Sequence, residues 1–175
     1  MTTITISGTP GSGKSTIANI LKNKLNLEYI YSGLIFRNLA EKHDMSLEEF
    51  GKHCEKNPAI DKELDENQLE ILKRGDIILE GRLAGWLAFK NNIPAFKIML
   101  TADINTRAKR VVKREEGDIE LRKKEIIERE RSEAKRYKEY YDIDLFDISI
   151  YDLVIDTKNK TPEEIVDTII NKLGK

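Results

Sequence analysis

Short apolar runs alternate with longer amphipathic segments along this chain. Each run is rich in isoleucine, leucine or valine, as expected of strands covered on both faces in a parallel sheet. The runs occupy residues 3–7, 27–31, 76–80, 95–101 and 153–155. The segments between them carry apolar residues at helical spacing, for example Ile17, Leu21 and Leu25. This pattern predicts an α/β fold, in which a five-stranded parallel sheet of order 2-3-1-4-5 has helices on both sides.

One segment between strands is longer than a simple crossover requires. It covers residues 34–74, between the second and third predicted strands. Ser32 is a predicted N-cap just before it, and Ser46 with Glu49 forms a capping-box pattern within it. Gly75 has the position of a C-cap that ends its last helix. The segment is therefore predicted to be a helical insertion in the sheet domain.

A second long segment, residues 115–141, follows the fourth strand and is dense in charge but poor in apolar residues. Two interpretations are open: an exposed helical hairpin held by salt bridges, or a mobile lid that carries arginines. Arg129, Glu133 and Arg136 fall at i, i+4 and i+7, so one helix face presents all three. We expect one domain over residues 1–175, with both insertions above the same edge of the sheet.

The composition limits the possible functions. With 175 residues, 39% of them hydrophobic, the chain has enough apolar sequence for one core. A net charge of −1 does not favour a nucleic-acid or membrane partner. The single cysteine, Cys54, excludes an intramolecular disulfide and is interpreted as a packed thiol rather than a nucleophile, since only His53 adjoins it. Without a signal-peptide pattern or a long apolar run, a cytoplasmic monomer is expected.

A glycine-rich loop between the first strand and the first helix carries the clearest chemical signal. Gly8, Gly13, Lys14 and Ser15 match the phosphate-binding pattern G-x-x-x-x-G-K-[ST]. Glycines let backbone N–H groups approach phosphate oxygens, and the helix N-terminus adds positive potential. The alternative is a βα turn without a ligand. The predicted ATP-binding residues of the loop are Gly8, Thr9, Pro10, Gly11, Ser12, Gly13, Lys14, Ser15 and Thr16.

A carboxylate follows the third apolar run, at the edge where parallel sheets bind their ligands. This residue is Glu80, and Gly81 and Arg82 come directly after it. Mg²⁺ prefers oxygen ligands and accompanies the phosphates of ATP. We therefore expect Mg²⁺ to be held by the Ser15 hydroxyl with Glu80 nearby.

These motifs together resemble those of nucleoside monophosphate kinases, and more narrowly of the short archaeal-type cytidylate kinases. Residues 8–15 are similar to the ATP loop of that family, and residues 32–37 to its monophosphate-binding helix. Residues 80–82 resemble its strand-end motif, and residues 149–157 its last strand and purine-contacting loop. The arginine and glutamate pattern at 129–136 resembles the family's lid. The resemblance extends over nearly the whole chain.

The resemblance implies transfer of the γ-phosphate of ATP to CMP and dCMP, with Mg²⁺ as cofactor. Lys14, Arg129 and Arg136 would neutralise the transferring group, and Arg110 and Arg114 would contact ATP. Arg37 by itself is better interpreted as a solvated surface charge, but in the family pattern it holds the acceptor phosphate. The residues expected at the monophosphate are Ser32, Arg37, Asp61, Gln68, Gly81, Arg82 and Glu133.

Recognition of the base is predicted from the first insertion. Bacterial cytidylate kinases carry an arginine near the position of Asp61 and an acid at that of Leu83, so the base is read differently here. Asp61 and Gln68 are seven residues apart and share a helix face. Asp61 is expected to accept a hydrogen bond from the cytosine amino group; alternatively it caps the helix that begins near Pro58.

Three other functions were compared with this one. Adenylate kinase is the nearest alternative enzyme. A guanine-nucleotide switch is disfavoured because the chain lacks an Asn-Lys-x-Asp motif. A nucleic-acid binder is disfavoured because glutamates are interleaved with the basic residues and aromatic residues are sparse.

Overall fold

The fold is centred on a parallel sheet. The computed structural model describes residues 2–174. The strands are β1 Ile4–Gly8, β2 Glu28–Tyr31, β3 Ile77–Glu80, β4 Phe96–Thr101 and β5 Leu153–Asp156. They form a five-stranded sheet of order β2-β3-β1-β4-β5, and every pairing is parallel. The predicted order is confirmed, and all five carboxyl ends lie at one edge of the sheet.

Helices cover both faces of the sheet. They are α1 Lys14–Leu25, α2 Ser32–Lys42, α3 Leu47–Lys56, α4 Pro58–Arg74, α5 Ala84–Lys90, α6 Ile104–Glu115, α7 Ile119–Tyr141 and α8 Pro162–Leu173. On one face, α1 and α8 pack a buried cluster that includes Ile6, Ile17 and Val166. On the other, α5 and the ends of α4 and α7 enclose a second cluster around Leu79 and Trp86. The two clusters hold the sheet rigid beneath its ligand-binding edge.

The first insertion consists of α2, α3 and α4. Ser46 and Glu49 form the predicted capping box at the start of α3, and Gly75 is the C-cap of α4. The prediction of Ser32 as an N-cap is wrong, because α2 already begins at Ser32 and Tyr31 is its cap residue. The register of β2 on β3 pairs Tyr31 with Glu80. Ser32 therefore lies beside the end of β3, and its hydroxyl donates to the Glu80 carbonyl oxygen, 2.6 Å away.

The second insertion forms one helix rather than a hairpin. No glycine or proline interrupts residues 119–141, so α7 continues for 23 residues, and the hairpin interpretation of this segment is wrong. In its first half, Leu121 and Ile127 are exposed. In its second half, Glu133, Arg136 and Tyr137 are buried. The second half thus anchors α7 to the domain. Within residues 2–174, no helix is both long enough and apolar enough to cross a membrane.

Candidate active site

The glycine loop lies at the carboxyl end of β1 and is packed against α6. Gly11 has φ +80°, and a Cβ there would come within 2.7 Å of the Arg107 carbonyl oxygen. A larger residue would therefore displace the loop from α6. The Arg107 guanidinium contacts the Pro10 carbonyl oxygen and pairs with Glu130 of α7 at 2.7 Å. Arg107 was not predicted as a site residue, and it connects the loop to the second insertion.

The Lys14 side chain is partly buried beside this loop. Its Nζ donates to the Thr9 carbonyl oxygen over 3.0 Å. Burial is the main cause that lowers the pKa of Lys14 to about 7. The positive charges of Arg82 and Arg129 also lower this pKa, whereas the negative charges of Glu80 and Glu133 raise it. Three cationic groups therefore share one small region. Such a concentration of positive charge suits a polyanionic ligand, which would relieve the mutual repulsion.

The predicted metal ligands lie together at the ends of β1 and β3. The Ser15 hydroxyl donates to Oε1 of Glu80 at 3.1 Å, and the Tyr29 hydroxyl donates to Oε2. These hard oxygen donors fit Mg²⁺. Among residues 2–174, no cluster of three or more His, Cys, Asp or Glu side chains is arranged for a metal. The remaining ligands would be phosphate and water oxygens, as is usual for Mg²⁺ at nucleotide sites.

Glu133 joins two arginines from different elements. It accepts hydrogen bonds from Arg82, which follows β3, and from Arg129, which lies one turn earlier on α7. The distance from Arg129 Nε to Glu133 Oε1 is 2.9 Å. Burial alone would raise the pKa of Glu133, but Arg82, Arg129 and Arg136 outweigh it and lower the pKa to about 2. The carboxylate is therefore ionised at neutral pH. It holds both guanidiniums at the cleft that Lys14 also lines.

Arg136 is directed away from that pair, toward the first insertion. Its Nε lies 2.6 Å from Oδ2 of Asp61, and both side chains are 2% exposed. Nη1 donates to the Ser132 hydroxyl at 2.9 Å, and the guanidinium lies 5.6 Å from the Phe36 ring centre. Asp61 is inside α4, whose cap residue is Asn57, so the interpretation of Asp61 as a cap is wrong.

The residues predicted at the monophosphate line the same cleft as the loop. Nε of Arg37 is buried without a hydrogen-bond partner in the described part of the chain. At Gly81, a Cβ would come within 2.0 Å of the Ser32 hydroxyl and 3.3 Å of Oε1 of Gln68. Only glycine fits there, because the Ser32 hydroxyl occupies the space that a Cβ would take.

The comparisons with known proteins agree with this geometry. The model of the cytidylate kinase-like family matches residues 3–159. The chain belongs to that family. A relative named cytidylate kinase, from Methanocaldococcus jannaschii, is 48% identical over 98% of this chain and 99% of its own length. A second relative named cytidylate kinase, from Methanopyrus kandleri, is 47% identical over 92% of this chain and 87% of its own length.

Solved structures show the same fold at low sequence identity. Shikimate kinase from Bacteroides thetaiotaomicron superposes with a TM-score of 0.63 and 14% identity, covering 99% of both chains. An uncharacterized protein from Eubacterium ventriosum superposes with a TM-score of 0.74 and 18% identity, covering 100% of this chain and 99% of its own. These likenesses support the P-loop kinase architecture predicted from the sequence.

In this member of the cytidylate kinase-like family, a second pocket lies behind the glycine loop. Arg110 donates to the Gly11 carbonyl oxygen and to both oxygens of Thr157, at 2.7–3.3 Å. Gly13, Thr16 and Lys160 are among the other residues that line it. Lys160 was not predicted. Arg114 also reaches both pockets, although it pairs with its neighbour Glu115.

Two further residues of the first insertion, Cys54 and Asp65, are buried. Cys54 is buried beneath α2, and burial raises the pKa of its thiol to about 12, as expected of a packed residue rather than a nucleophile. Asp65 was missed, although it lies on the same α4 face as Asp61 and Gln68, and helical periodicity could have revealed it. Asp65 accepts a hydrogen bond from the hydroxyl of Tyr141, the last residue of α7.

Proposed function

We propose that this protein transfers the γ-phosphate of ATP to CMP, giving ADP and CDP, with dCMP as a second acceptor. The observation that carries the proposal is the arrangement of Lys14, Arg82 and Arg129 around the glycine loop, with Glu133 between the two arginines. The names of the archaeal relatives support cytidylate as the acceptor. We further propose a cytoplasmic monomer that acts on free nucleotides and not on nucleic acid or membranes.

The reaction is a direct in-line displacement. A phosphate oxygen of CMP bonds to the γ-phosphorus of ATP as the bond from that phosphorus to the β–γ bridging oxygen breaks. The transition state is loose, so catalysis depends on positioning and on charge stabilisation. No general base is needed, because the acceptor phosphate is already an anion near neutral pH.

Each cationic side chain has a proposed place in this displacement. Arg37 and Arg82 hold the acceptor phosphate, while Lys14 and Arg129 contact the transferring group. Arg136 has the same proposed role as Lys14, which requires its ion pair with Asp61 to open. The backbone of the loop holds the ATP phosphates, and Arg110 and Arg114 border the pocket for the donor nucleotide.

Ser15 and Glu80 would hold Mg²⁺, which when bound neutralises phosphate charge. Water must be excluded during transfer, since otherwise ATP would be hydrolysed. We propose that residues 115–141 act as a lid that closes when both nucleotides are bound. Asp61 and Gln68 are proposed to read the cytosine. Gln68 is the stronger candidate for the amino group, because its Oε1 is buried and has no hydrogen-bond partner among residues 2–174.

An ADP-release assay with CMP, dCMP, UMP, AMP and GMP as separate acceptors tests the proposal. We expect CMP and dCMP to give the highest kcat/KM. A preference for AMP would show an adenylate kinase instead. ATP turnover that is independent of every acceptor would show a hydrolase or switch.

A further inference from the structure

Gln68 has a side-chain amide with two unlike ends in the acceptor cleft. Its nitrogen, Nε2, donates to Oδ1 of Asp65 at 3.2 Å and to the Leu64 carbonyl oxygen at 3.4 Å. Its oxygen, Oε1, is buried and has no partner among residues 2–174. The side chain is only 6% exposed, so a free acceptor here is costly unless a ligand supplies a donor.

The orientation of this amide follows from its neighbours. The Leu64 carbonyl and an ionised Asp65 can only accept hydrogen bonds, so both require the NH₂ end of Gln68. Asp65 is itself fixed, because the Tyr141 hydroxyl donates to its Oδ2 at 2.8 Å. A chain of hydrogen bonds therefore runs from α7 through Asp65 to Gln68. This chain leaves Oε1 of Gln68 directed away from Asp65.

The space beyond Oε1 belongs to the acceptor site, because Gln68 lines the same cleft as the glycine loop. Oε1 lies 3.3 Å from the position that a Cβ on Gly81 would take, and Gln68 and Gly81 both line the cleft. The cleft thus offers a buried acceptor on Gln68 that no residue among 2–174 satisfies.

We propose that Asp65 is the positioning residue that makes this site select cytosine over uracil, by holding the Gln68 amide with its oxygen toward the base. The proposal rests on CMP being the acceptor substrate. Cytosine presents an amino donor beside acceptors, and uracil presents a carbonyl oxygen in place of the amino group. Oε1 accepts from the cytosine amino group, whereas the carbonyl oxygen of uracil would face Oε1 as a second acceptor. In the present conformation Oε1 is covered, so the base reaches it as the insertion helices rearrange around the nucleotide.

The D65N variant removes one of the two groups that require the NH₂ end of Gln68, and the other, the Leu64 carbonyl oxygen, is the longer contact at 3.4 Å. If Tyr141 still donates to the remaining carbonyl oxygen of residue 65, the new amide nitrogen faces Gln68. The Gln68 amide then turns its oxygen toward residue 65 and its nitrogen toward the base. That nitrogen suits uracil and repels the amino group of cytosine.

The experiment measures kcat/KM for CMP and UMP at pH 8, where Asp65 is ionised in the wild type. In D65N we expect the CMP-to-UMP ratio to fall about tenfold or more, through both a loss for CMP and a gain for UMP. E66Q, an exposed neighbour on α4, removes the same charge and should leave the ratio unchanged. In D65N/Q68E the ratio should return toward cytosine, because a carboxylate presents an acceptor on both sides.

The outcomes separate this inference from the proposed function. A wild type that prefers CMP, with a D65N variant that loses activity on CMP and UMP equally, would overturn the role of Asp65 while leaving the CMP kinase assignment in place. A D65N/Q68E variant with the uracil preference of D65N would overturn it also. A wild type that phosphorylates neither pyrimidine nucleotide would instead refute the proposed function.

Discussion

Asp61 and Arg136 form a buried ion pair that joins the two insertions, with 2.6 Å between Oδ2 and Nε. Breaking such a pair leaves one charge buried without its partner, which costs about 3–5 kcal/mol. We therefore expect Asp61→Ala to lower the free energy of unfolding by about that amount in chemical denaturation. The matched control is Lys62→Ala, an exposed neighbour on α4, which should change it little. Equal losses in both variants would mean that the pair contributes nothing specific.

Lys14 is expected to serve catalysis and not stability. Lys14→Ala should lower kcat about a hundredfold or more, since it removes a cation that stabilises the transferring phosphoryl group. The thermal midpoint should stay the same or rise, because burial of the ammonium is unfavourable in the free protein. Lys22→Ala, on the exposed side of α1, is the control. Near-normal turnover in a well-folded Lys14→Ala variant would refute the assignment of the loop.

Arg37 is expected to act on the acceptor alone. Its buried Nε has no hydrogen-bond partner in the part of the chain described here, so its removal breaks no such bond from that atom. Arg37→Ala should raise KM for CMP about tenfold or more, as loss of a charge-assisted hydrogen bond predicts, with KM for ATP nearly constant. Lys42→Ala at the exposed end of α2 is the control. A loss of ATP affinity in Arg37→Ala would place Arg37 at the donor nucleotide.

Residues 115–141 are expected to respond to ligands unevenly. The first half of α7 buries only Ile126, whereas the second half buries Glu133, Arg136 and Tyr137. A bisubstrate analogue that joins the two nucleotides should slow amide exchange most in the first half, where local stability is lowest. Hydrogen exchange followed by mass spectrometry measures this, and the buried strand β1 is the internal reference. Unchanged exchange throughout α7 would mean that it is a fixed helix and not a lid.

Asp65 gives stability a pH dependence of identifiable sign. Burial raises the pKa of Asp65 to about 7, and Asp61 adds to the rise, while Tyr141 and Arg136 oppose it. The folded protein therefore binds a proton that the unfolded chain has lost between pH 3.8 and about 7. The stability from this group is complete below that window and disappears as the pH rises through it. Asp65→Asn should show a flatter profile of unfolding free energy from pH 5 to 8. A parallel profile would exclude Asp65 as the cause.

The sequence was most informative about sites whose residues lie close together along the chain. The loop from Gly8 to Thr16 combines strand, glycine and helix signals within one short stretch. The apolar runs indicated five parallel strands, and the order proposed for them, which no local pattern specifies, is the one observed. Arg129 and Glu133 were correctly placed on one helix face, since their spacing is local. The residues proposed for each nucleotide stay predictions, although most of them line one cleft.

Long-range partners were not predictable in the same way. Arg82 reaches Glu133 across 51 residues, and Asp61 reaches Arg136 across 75. Such pairs depend on how α4 and α7 pack together, which no local pattern specifies. Ser32 was misjudged for the same reason, because its hydroxyl is directed to the end of β3, 48 residues away, rather than to its own helix.

The Thr157 hydroxyl lies 3.0 Å from the Ser12 carbonyl oxygen, 145 residues earlier in the chain. This hydrogen bond connects the glycine loop to the segment that follows β5. A contact between residues so far apart in sequence is slow to form during folding. The loop therefore gains this support only when β5 has joined the sheet, so its final shape depends on assembly of the whole sheet and not on β1 and α1 alone.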